Sequence, residues 1–193
     1  MRWRSCFSSV LNSILAASLM AVRGSPGCCG AVRWHYMGWV SCQCSLPCQN
    51  TGWDTHVQHF PRLREELGPG LDHAFTALVS DLEARGMLED TAIAVLSEHG
   101  RTPRVQDVKG GGRDHWSLAY SALFAGAGFA RGRVVGRTDK QAGRVTETPV
   151  SPKDVLSTLY HLMGIDPATE IRDRLGRPYA VGGVGKVRSE LLA

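Results

Sequence analysis

An abrupt change of composition near residue 50 restricts where this chain can build an ordinary folded domain. All six cysteines precede that point, whereas every one of the 18 acidic residues lies at Asp54 or beyond it. The net charge of +4 comes from the first segment, whose only charged side chains are arginines: Arg2, Arg4, Arg23 and Arg33. Residues 51–193 are therefore balanced in charge and long enough to bury a core. They contain no basic stripe, so the sequence does not indicate nucleic acid as a partner.

The first segment, residues 1–50, admits three interpretations. Arg2 and Arg4, followed by the apolar stretch Val10–Val22, suggest a secretory signal, although polar residues interrupt the stretch. The cysteines suggest a metal or disulfide module, although no C-x-x-C pair occurs. We favour a third interpretation, a non-native start produced by a mis-set reading frame or a truncated gene, because the segment has no helical or strand period.

These interpretations predict different cellular locations. A signal implies export or a periplasmic location, whereas a chain without a signal is expected in the cytoplasm. The apolar stretch is shorter than the ~20 residues that a bilayer span needs, so no membrane span is expected. We therefore treat residues 1–50 as an irregular, unassigned segment, and the sequence does not indicate an oligomeric state.

Residues 51–193 alternate between helical and strand patterns. Apolar side chains recur on one helix face from Leu71 to Leu82, and Gly86 marks the end of this predicted helix. Thr91–Leu96 is a short, continuous apolar run, which is typical of a strand buried on both faces of a parallel sheet.

The later part of the chain continues this alternation. Leu118–Phe124 is predicted as a second buried strand and Arg133–Gly136 as a short edge strand. Ser151 and Asp154 form a capping-box-like pair at the start of a late helix, and Leu175–Pro178 has the composition of a turn. Elements in this order predict an α/β layer fold, in which polar residues directly after buried strands lie at the edge where ligands bind.

Three short clusters combine carboxylates and histidines in loops or at predicted strand ends. They are Trp53–His56 with His59 close behind, Ser97–Pro103 and Gly110–Trp116. Carboxylate oxygens and imidazole nitrogens are the ligands of zinc, manganese and related divalent ions. Arginines in the second and third clusters add donors that can bind a tetrahedral oxyanion. Each pair alone also fits a solvated or capping loop, but the three clusters together indicate a metal site.

The clusters resemble the three signatures of the domain of unknown function 1501 family, which are sulfatase-like bacterial proteins placed in the alkaline phosphatase superfamily. The matching strings are Gly-Trp-Asp-Thr-His at 52–56, Glu-x-Gly-Arg-Thr-Pro at 98–103 and Gly-Arg-Asp-His-Trp at 112–116. Val150–Asp166 is similar to a late sulfatase helix. The resemblance covers nearly all of 51–193. It implies the C-terminal part of an alkaline-phosphatase-like domain, with a mostly parallel sheet and flanking helices.

The resemblance also implies roles for individual residues. The metal ligands that it implies are Asp54, His56, Glu98, His99 and His115. His59 is an alternative to His56, because the spacing of the first pair is often longer in the superfamily, and Asp114 is a further alternative ligand. Arg101 and Arg113 match family arginines and are candidates for binding an oxyanion. His99 stands where the closer family usually has an aromatic residue.

One departure from the family concerns the nucleophile. In the superfamily the nucleophile and another metal carboxylate lie in a long N-terminal half, which residues 1–50 do not resemble. The chain is therefore predicted to be a fragment of a metal-dependent phosphate or sulfate ester hydrolase that is inactive alone. The implied cofactor is a divalent metal, zinc or manganese, with calcium or magnesium as further candidates. Intact relatives are expected to act on a small anionic ester. The alternative is a non-catalytic binding or export-related module with structural Asp and His clusters.

Overall fold

The structure, a computed structural model, describes residues 53–193 and the backbone of two earlier strands. The α-helices are α1 (His59–Arg62), α2 (Gly68–Ala84) and α3 (Pro152–Leu162). The strands are β1 (Ser18–Gly24), β2 (Trp39–Ser45), β3 (Thr91–Leu96), β4 (Gly100–Arg101), β5 (His115–Trp116), β6 (Leu123–Ala125), β7 (Arg137–Thr138), β8 (Val145–Glu147), β9 (Glu170–Arg172) and β10 (Pro178–Ala180). Within this described part, no helix is both long and apolar enough to cross a bilayer.

The largest sheet has the strand order β2-β1-β3-β6, and every pair of neighbours in it is antiparallel. The smaller sheets are antiparallel ribbons that join β4 to β5, β7 to β8 and β9 to β10. The chain between β3 and β6 contains the β4–β5 ribbon and no helix, and it returns antiparallel, whereas parallel pairing needs a long crossover that usually contains a helix. The mixture of helices and strands agrees with the α/β prediction, but the described strands do not form the predicted mostly parallel sheet.

Strand β3 lies at the centre of the core. Residues 91–95 of this strand are buried, as expected for a strand that is covered on both faces. Ala92 packs with Leu159 of α3, whereas Ile93 packs with Leu82 of α2. Successive side chains of a strand point to opposite faces. Helices therefore cover both faces of β3, although the neighbouring strands run antiparallel to it.

Helix α1, a π-helical turn at Leu63–Leu67 and helix α2 follow one another without a break. Pro69 lies in the first turn of α2. A proline in a continuous helix lacks an amide donor and displaces the preceding turn, and the wider π-helical turn ends at Leu67, shortly before Pro69. This helical segment starts at His59, so it connects the first Asp/His cluster to the core.

Helix α3 begins with the capping box that the sequence predicts. The amide of Asp154 donates to Ser151 Oγ at 3.2 Å, and the amide of Ser151 donates to Asp154 Oδ2 at 2.9 Å. Each bond satisfies a backbone donor that the first turn of a helix leaves free. Gly164, at φ 72°, follows the end of the helix in the left-handed conformation that favours glycine. The predicted turn near the C-terminus connects β9 to β10.

Several predicted boundaries are wrong. The strand predicted at Leu118–Phe124 is confined to β6, because Leu118 is 48% exposed and does not belong to a buried strand. The edge strand predicted at Arg133–Gly136 is not formed, and the chain pairs only from Arg137 onward. Residues 1–50 contribute β1 and β2. Strand β2 pairs with β1, and β1 pairs with β3, which is distant in the sequence and could not be recognised from a local period. The signal and cysteine-module predictions concern side chains outside the described residues.

Two glycines provide a matched test of the packing around β3. Gly126 and Gly132 both have positive φ, 74° and 64°. A Cβ on Gly126 would lie 2.0 Å from the carbonyl oxygen of Thr91, whereas a Cβ on Gly132 would meet nothing within 4 Å. Gly132→Ala is expected to cost about 1–2 kcal/mol of unfolding free energy from backbone conformation alone. Gly126→Ala should cost about 1–3 kcal/mol more, because of the added clash. Urea unfolding measures both, and equal losses would contradict this account of the β3 edge.

Candidate metal centre

The β4–β5 ribbon joins the second and third Asp/His clusters. Its antiparallel register places Arg101 opposite His115 and Gly100 opposite Trp116. A Cβ on Gly100 would lie 2.2 Å from the carbonyl oxygen of Ala119, so the close approach of the two chain segments requires glycine there. The ribbon therefore brings Arg101 and His115 to the same place, although a loop separates them in the sequence.

The first cluster is held against this ribbon by Arg101. Arg101 Nη1 donates to the carbonyl oxygen of Arg113 at 2.8 Å, and Nη2 donates to the carbonyl oxygen of Trp53 at 3.2 Å. Nη2 also donates to Asp54 Oδ1 at 2.5 Å. The Arg101 side chain is only 1% exposed, and its charge is compensated by this carboxylate. Arg101 was predicted to bind an oxyanion, but its two Nη atoms already donate to groups of the protein.

Asp54 collects several contacts on a single carboxylate oxygen. Besides Arg101, Asp54 Oδ1 lies 2.8 Å from His115 Nε2 and 3.0 Å from His56 Nε2. One donor atom from each of Asp54, His56 and His115 lies within 4.8 Å of the other two. Three of the five predicted metal ligands therefore come together from two segments that are distant in the sequence.

The surroundings of Asp54 favour its ionised form. Its pKa is lowered from 3.8 to about 2, first by the hydrogen bond with His115 and further by the hydrogen bond and the charge of Arg101. Partial burial opposes this shift, since it penalises the charged carboxylate. Asp54 is consequently ionised at neutral pH, which is the state that binds cations.

The other side of the His56 ring contacts Asp114. His56 Nδ1 lies 2.8 Å from Asp114 Oδ1, and Gln106 Nε2 donates to Asp114 Oδ2. Asp114, which was predicted as an alternative ligand, therefore lies behind His56, outside the Asp54–His56–His115 group. Gln106 was not predicted as part of the site. Its contact with Asp114 exists only because the loop between β4 and β5 folds back, and no sequence pattern indicates that contact.

The two other predicted ligands lie beside the group. The ring centroids of His99 and His115 are 4.1 Å apart. His99 Nδ1 is buried and has no hydrogen-bond partner among the described residues. Glu98 is 62% exposed and contacts His99 Nε2 at 3.6 Å. Thus the structure brings His99 close to His115, but it does not bring Glu98 together with Asp54 and His115.

His59 and Arg113 lie outside the group of donor atoms. His59 is fully buried, with Nδ1 2.6 Å from Thr55 Oγ1. Burial lowers the pKa of His59 from 6.5 to about 4, and the charges of Arg113 and Arg101 act in the same direction. The guanidinium of Arg113 lies 5.6 Å from the centroid of the Phe60 ring, and burial lowers its pKa. His59 is therefore a neutral, buried histidine at neutral pH.

The chemistry of the donor set fits a small divalent cation. One carboxylate and two imidazole nitrogens are ligands that zinc and manganese share, and three protein ligands leave a coordination position open. The unpartnered Nδ1 of His99 is a further nitrogen beside this set. Asp54, His56 and His115 are the residues that would hold such an ion.

Comparison with known proteins gives one match. The family described as "Protein of unknown function (DUF1501)" matches residues 37–192. The chain belongs to this family. The match begins within the first segment and includes β2, and it extends across all three Asp/His clusters. No curated protein and no solved structure matches the chain.

The buried His59 predicts a specific loss of stability in mild acid. With a folded pKa of about 4 against 6.5 for an exposed histidine, only the unfolded state takes up this proton between those values. Stability should therefore fall as the pH is lowered from 6.5 to 4, by about 1.4 kcal/mol per pH unit from this group. Urea unfolding at several pH values measures the slope. His59→Gln should reduce the slope, whereas His73→Gln, at an exposed position on α2, should reduce it less. Equal slopes in both variants would contradict the assignment.

Proposed function

We propose that this chain provides a divalent-metal site for an ester hydrolase of the alkaline phosphatase and sulfatase type. The observation that carries the proposal is the convergence of Asp54, His56 and His115, whose donor atoms lie within 4.8 Å of one another. These side chains are polar, so the burial of apolar surface gives no reason for them to meet. Binding of one cation by all three side chains would explain why they converge. The resemblance to sulfatase-like proteins, which includes these same positions, supports the same conclusion.

The surrounding charges suit a site that acts on an anionic ester. A divalent ion held there supplies Lewis-acid polarisation and charge neutralisation to a phosphate or sulfate group. Arg113 is the better candidate of the two predicted arginines for contacting the anion, because both Nη atoms of Arg101 already donate to other groups of the protein, whereas the Arg113 guanidinium lies against the Phe60 ring. Arg101 instead fixes Asp54, and it keeps that carboxylate ionised. We therefore propose a small anionic ester as the substrate class of intact relatives.

We further propose that the chain has little or no hydrolytic activity alone. Among the described residues, no Ser or Thr hydroxyl forms a hydrogen bond with Asp54, His56 or His115. The two threonines that neighbour the site in sequence are engaged elsewhere. Thr55 Oγ1 bonds to His59 and Thr102 Oγ1 donates to the carbonyl oxygen of Arg104. A nucleophile from outside these residues is thus part of the proposed active site.

A second candidate function is a non-catalytic module in which the same cluster is structural. The observation that favours it is the contact between Arg101 and Asp54, since this guanidinium already compensates the carboxylate without an ion. A cluster that is complete in this way can stabilise three loops by itself. The two candidates differ in whether the protein retains a metal, so metal binding separates them.

Metal binding by the full chain is the first test. Isothermal titration calorimetry with Zn²⁺ or Mn²⁺ should show one site, and His115→Ala should weaken binding at least tenfold because it removes one of three ligands. His73→Ala is the matched control, as it removes an exposed histidine on α2 that lies outside the group. A wild-type chain that binds neither ion, and whose melting temperature does not change on chelation, would favour the structural module.

Hydrolysis is the second test. The metal-loaded chain is expected to release no more nitrophenol from p-nitrophenyl phosphate or p-nitrophenyl sulfate than the metal ion in buffer does. The reason is that the described residues offer no hydroxyl nucleophile in contact with the group. Turnover that depends on the metal and disappears in His115→Ala would show that the chain is active alone and would refute this part of the proposal.

A further inference from the structure

The loop between β4 and β5 folds back against the first Asp/His cluster. The amide of Gln106 donates to the carbonyl oxygen of Gly112 at 2.9 Å, which closes the loop on itself. A Cβ on Gly112 would lie 2.1 Å from the carbonyl oxygen of His56 and 3.0 Å from Gln106 Oε1. Only glycine allows this approach, so the loop is built to lie directly against the backbone of His56.

The loop presents a carboxylate to the His56 ring and fixes that carboxylate from several directions. Asp114 Oδ1 lies 2.8 Å from His56 Nδ1, and Gln106 Nε2 donates to Asp114 Oδ2. The backbone of Asp114 is held as well, since its amide donates to Thr102 Oγ1 at 3.1 Å and its carbonyl accepts from the amide of Thr102 at 2.9 Å. Both oxygens and both backbone groups of Asp114 are thus engaged.

This arrangement determines which nitrogen of His56 carries the proton in the neutral ring. An ionised carboxylate accepts hydrogen bonds and cannot donate them. Both nitrogens of His56 have a carboxylate neighbour, but only the contact between Nδ1 and Asp114 has the geometry of a hydrogen bond, so Nδ1 carries the hydrogen. The lone pair is then on Nε2, the atom that lies 3.0 Å from Asp54 Oδ1. A metal-binding histidine requires this state, and a carboxylate partner on the other nitrogen also limits rotation of the ring.

We propose that Asp114, held by Gln106, is a positioning residue that keeps His56 in the Nδ1–H tautomer with Nε2 directed at the cation. Asp114 itself does not bind the ion. This inference rests on the proposed metal site, but it makes a claim about the metal-free protein that can be tested separately.

Asp114→Asn gives the sharpest test, because it should reverse the tautomer. The amide has one acceptor oxygen, while Gln106 and His56 Nδ1–H both require an acceptor. If the oxygen faces Gln106, the NH₂ group faces His56 Nδ1, which must then accept, and the hydrogen moves to Nε2. Long-range ¹H–¹⁵N NMR of the full-length, metal-free chain reads the tautomer directly. We expect Nδ1–H in the wild type and a shift toward Nε2–H in Asp114→Asn.

The same variant should weaken Zn²⁺ binding by about 10- to 100-fold, the usual effect of losing such a partner. Asp107→Asn is the matched control, since it changes an exposed carboxylate in the same loop, and it should retain the wild-type tautomer and affinity. Gln106→Leu is a second variant that preserves the carboxylate. It should retain Nδ1–H and weaken Zn²⁺ binding only by a few-fold. Circular dichroism and urea unfolding establish that each variant folds.

The outcomes separate the two proposals. An unchanged His56 tautomer in Asp114→Asn, with Zn²⁺ affinity within twofold of the wild type, overturns the positioning role. A wild-type chain that binds no Zn²⁺ overturns the proposed metal site. In that case a tautomer reversal in Asp114→Asn would still support control of His56 by Asp114. A reversal together with weakened binding supports both.

Discussion

The buried guanidinium of Arg101 is the interaction on which the arrangement of the site depends. A charged group that is 1% exposed loses its hydration, and the loss is tolerable only when a counter-charge and hydrogen-bond acceptors replace the water. Asp54 supplies the charge, and the carbonyl oxygens of Trp53 and Arg113 supply acceptors. These partners come from two separate segments. The requirement to satisfy Arg101 therefore fixes the first cluster against the β4–β5 ribbon, and His56 and His115 meet as a result.

The scaffold under this contact is the strand that enters the ribbon. Strand β3 is covered by α2 on one face and by α3 on the other, and β4 begins shortly after β3 ends. A buried strand moves little, so the loop that leaves it starts from a defined position. The second anchor is His59 at the start of α1, whose buried ring and bond to Thr55 fix the other end of the first cluster. Loops and the short β4–β5 ribbon carry the Asp54–His56–His115 group, while the sheet and helices limit where those segments can lie.

Local features were predictable from the sequence, whereas contacts between distant segments of the chain were not. The capping box at Ser151 and the burial of Thr91–Val95 follow from short-range rules, and both are confirmed. The convergence of Asp54 with His115 could be inferred only by resemblance, because no local rule relates residues so distant in the sequence. The strand predicted at Leu118 failed since an apolar run does not reveal whether anything covers it. Gln106 was missed for a similar reason: its role arises from a loop folding back, and a lone glutamine in a loop has no distinctive pattern.

The ion pair between Arg101 and Asp54 also determines the electrostatic character of the site once it is filled. Arg101 is permanently cationic, and it offsets much of the negative charge that an incoming ion would otherwise meet at Asp54. Neutral imidazole ligands add no charge to the site. Even with the carboxylate of Asp114 nearby, a divalent ion would leave the filled site with surplus positive charge. Halide, phosphate or sulfate would then complete the coordination sphere more readily than a neutral molecule, and the strength of that preference would decline as salt concentration rises.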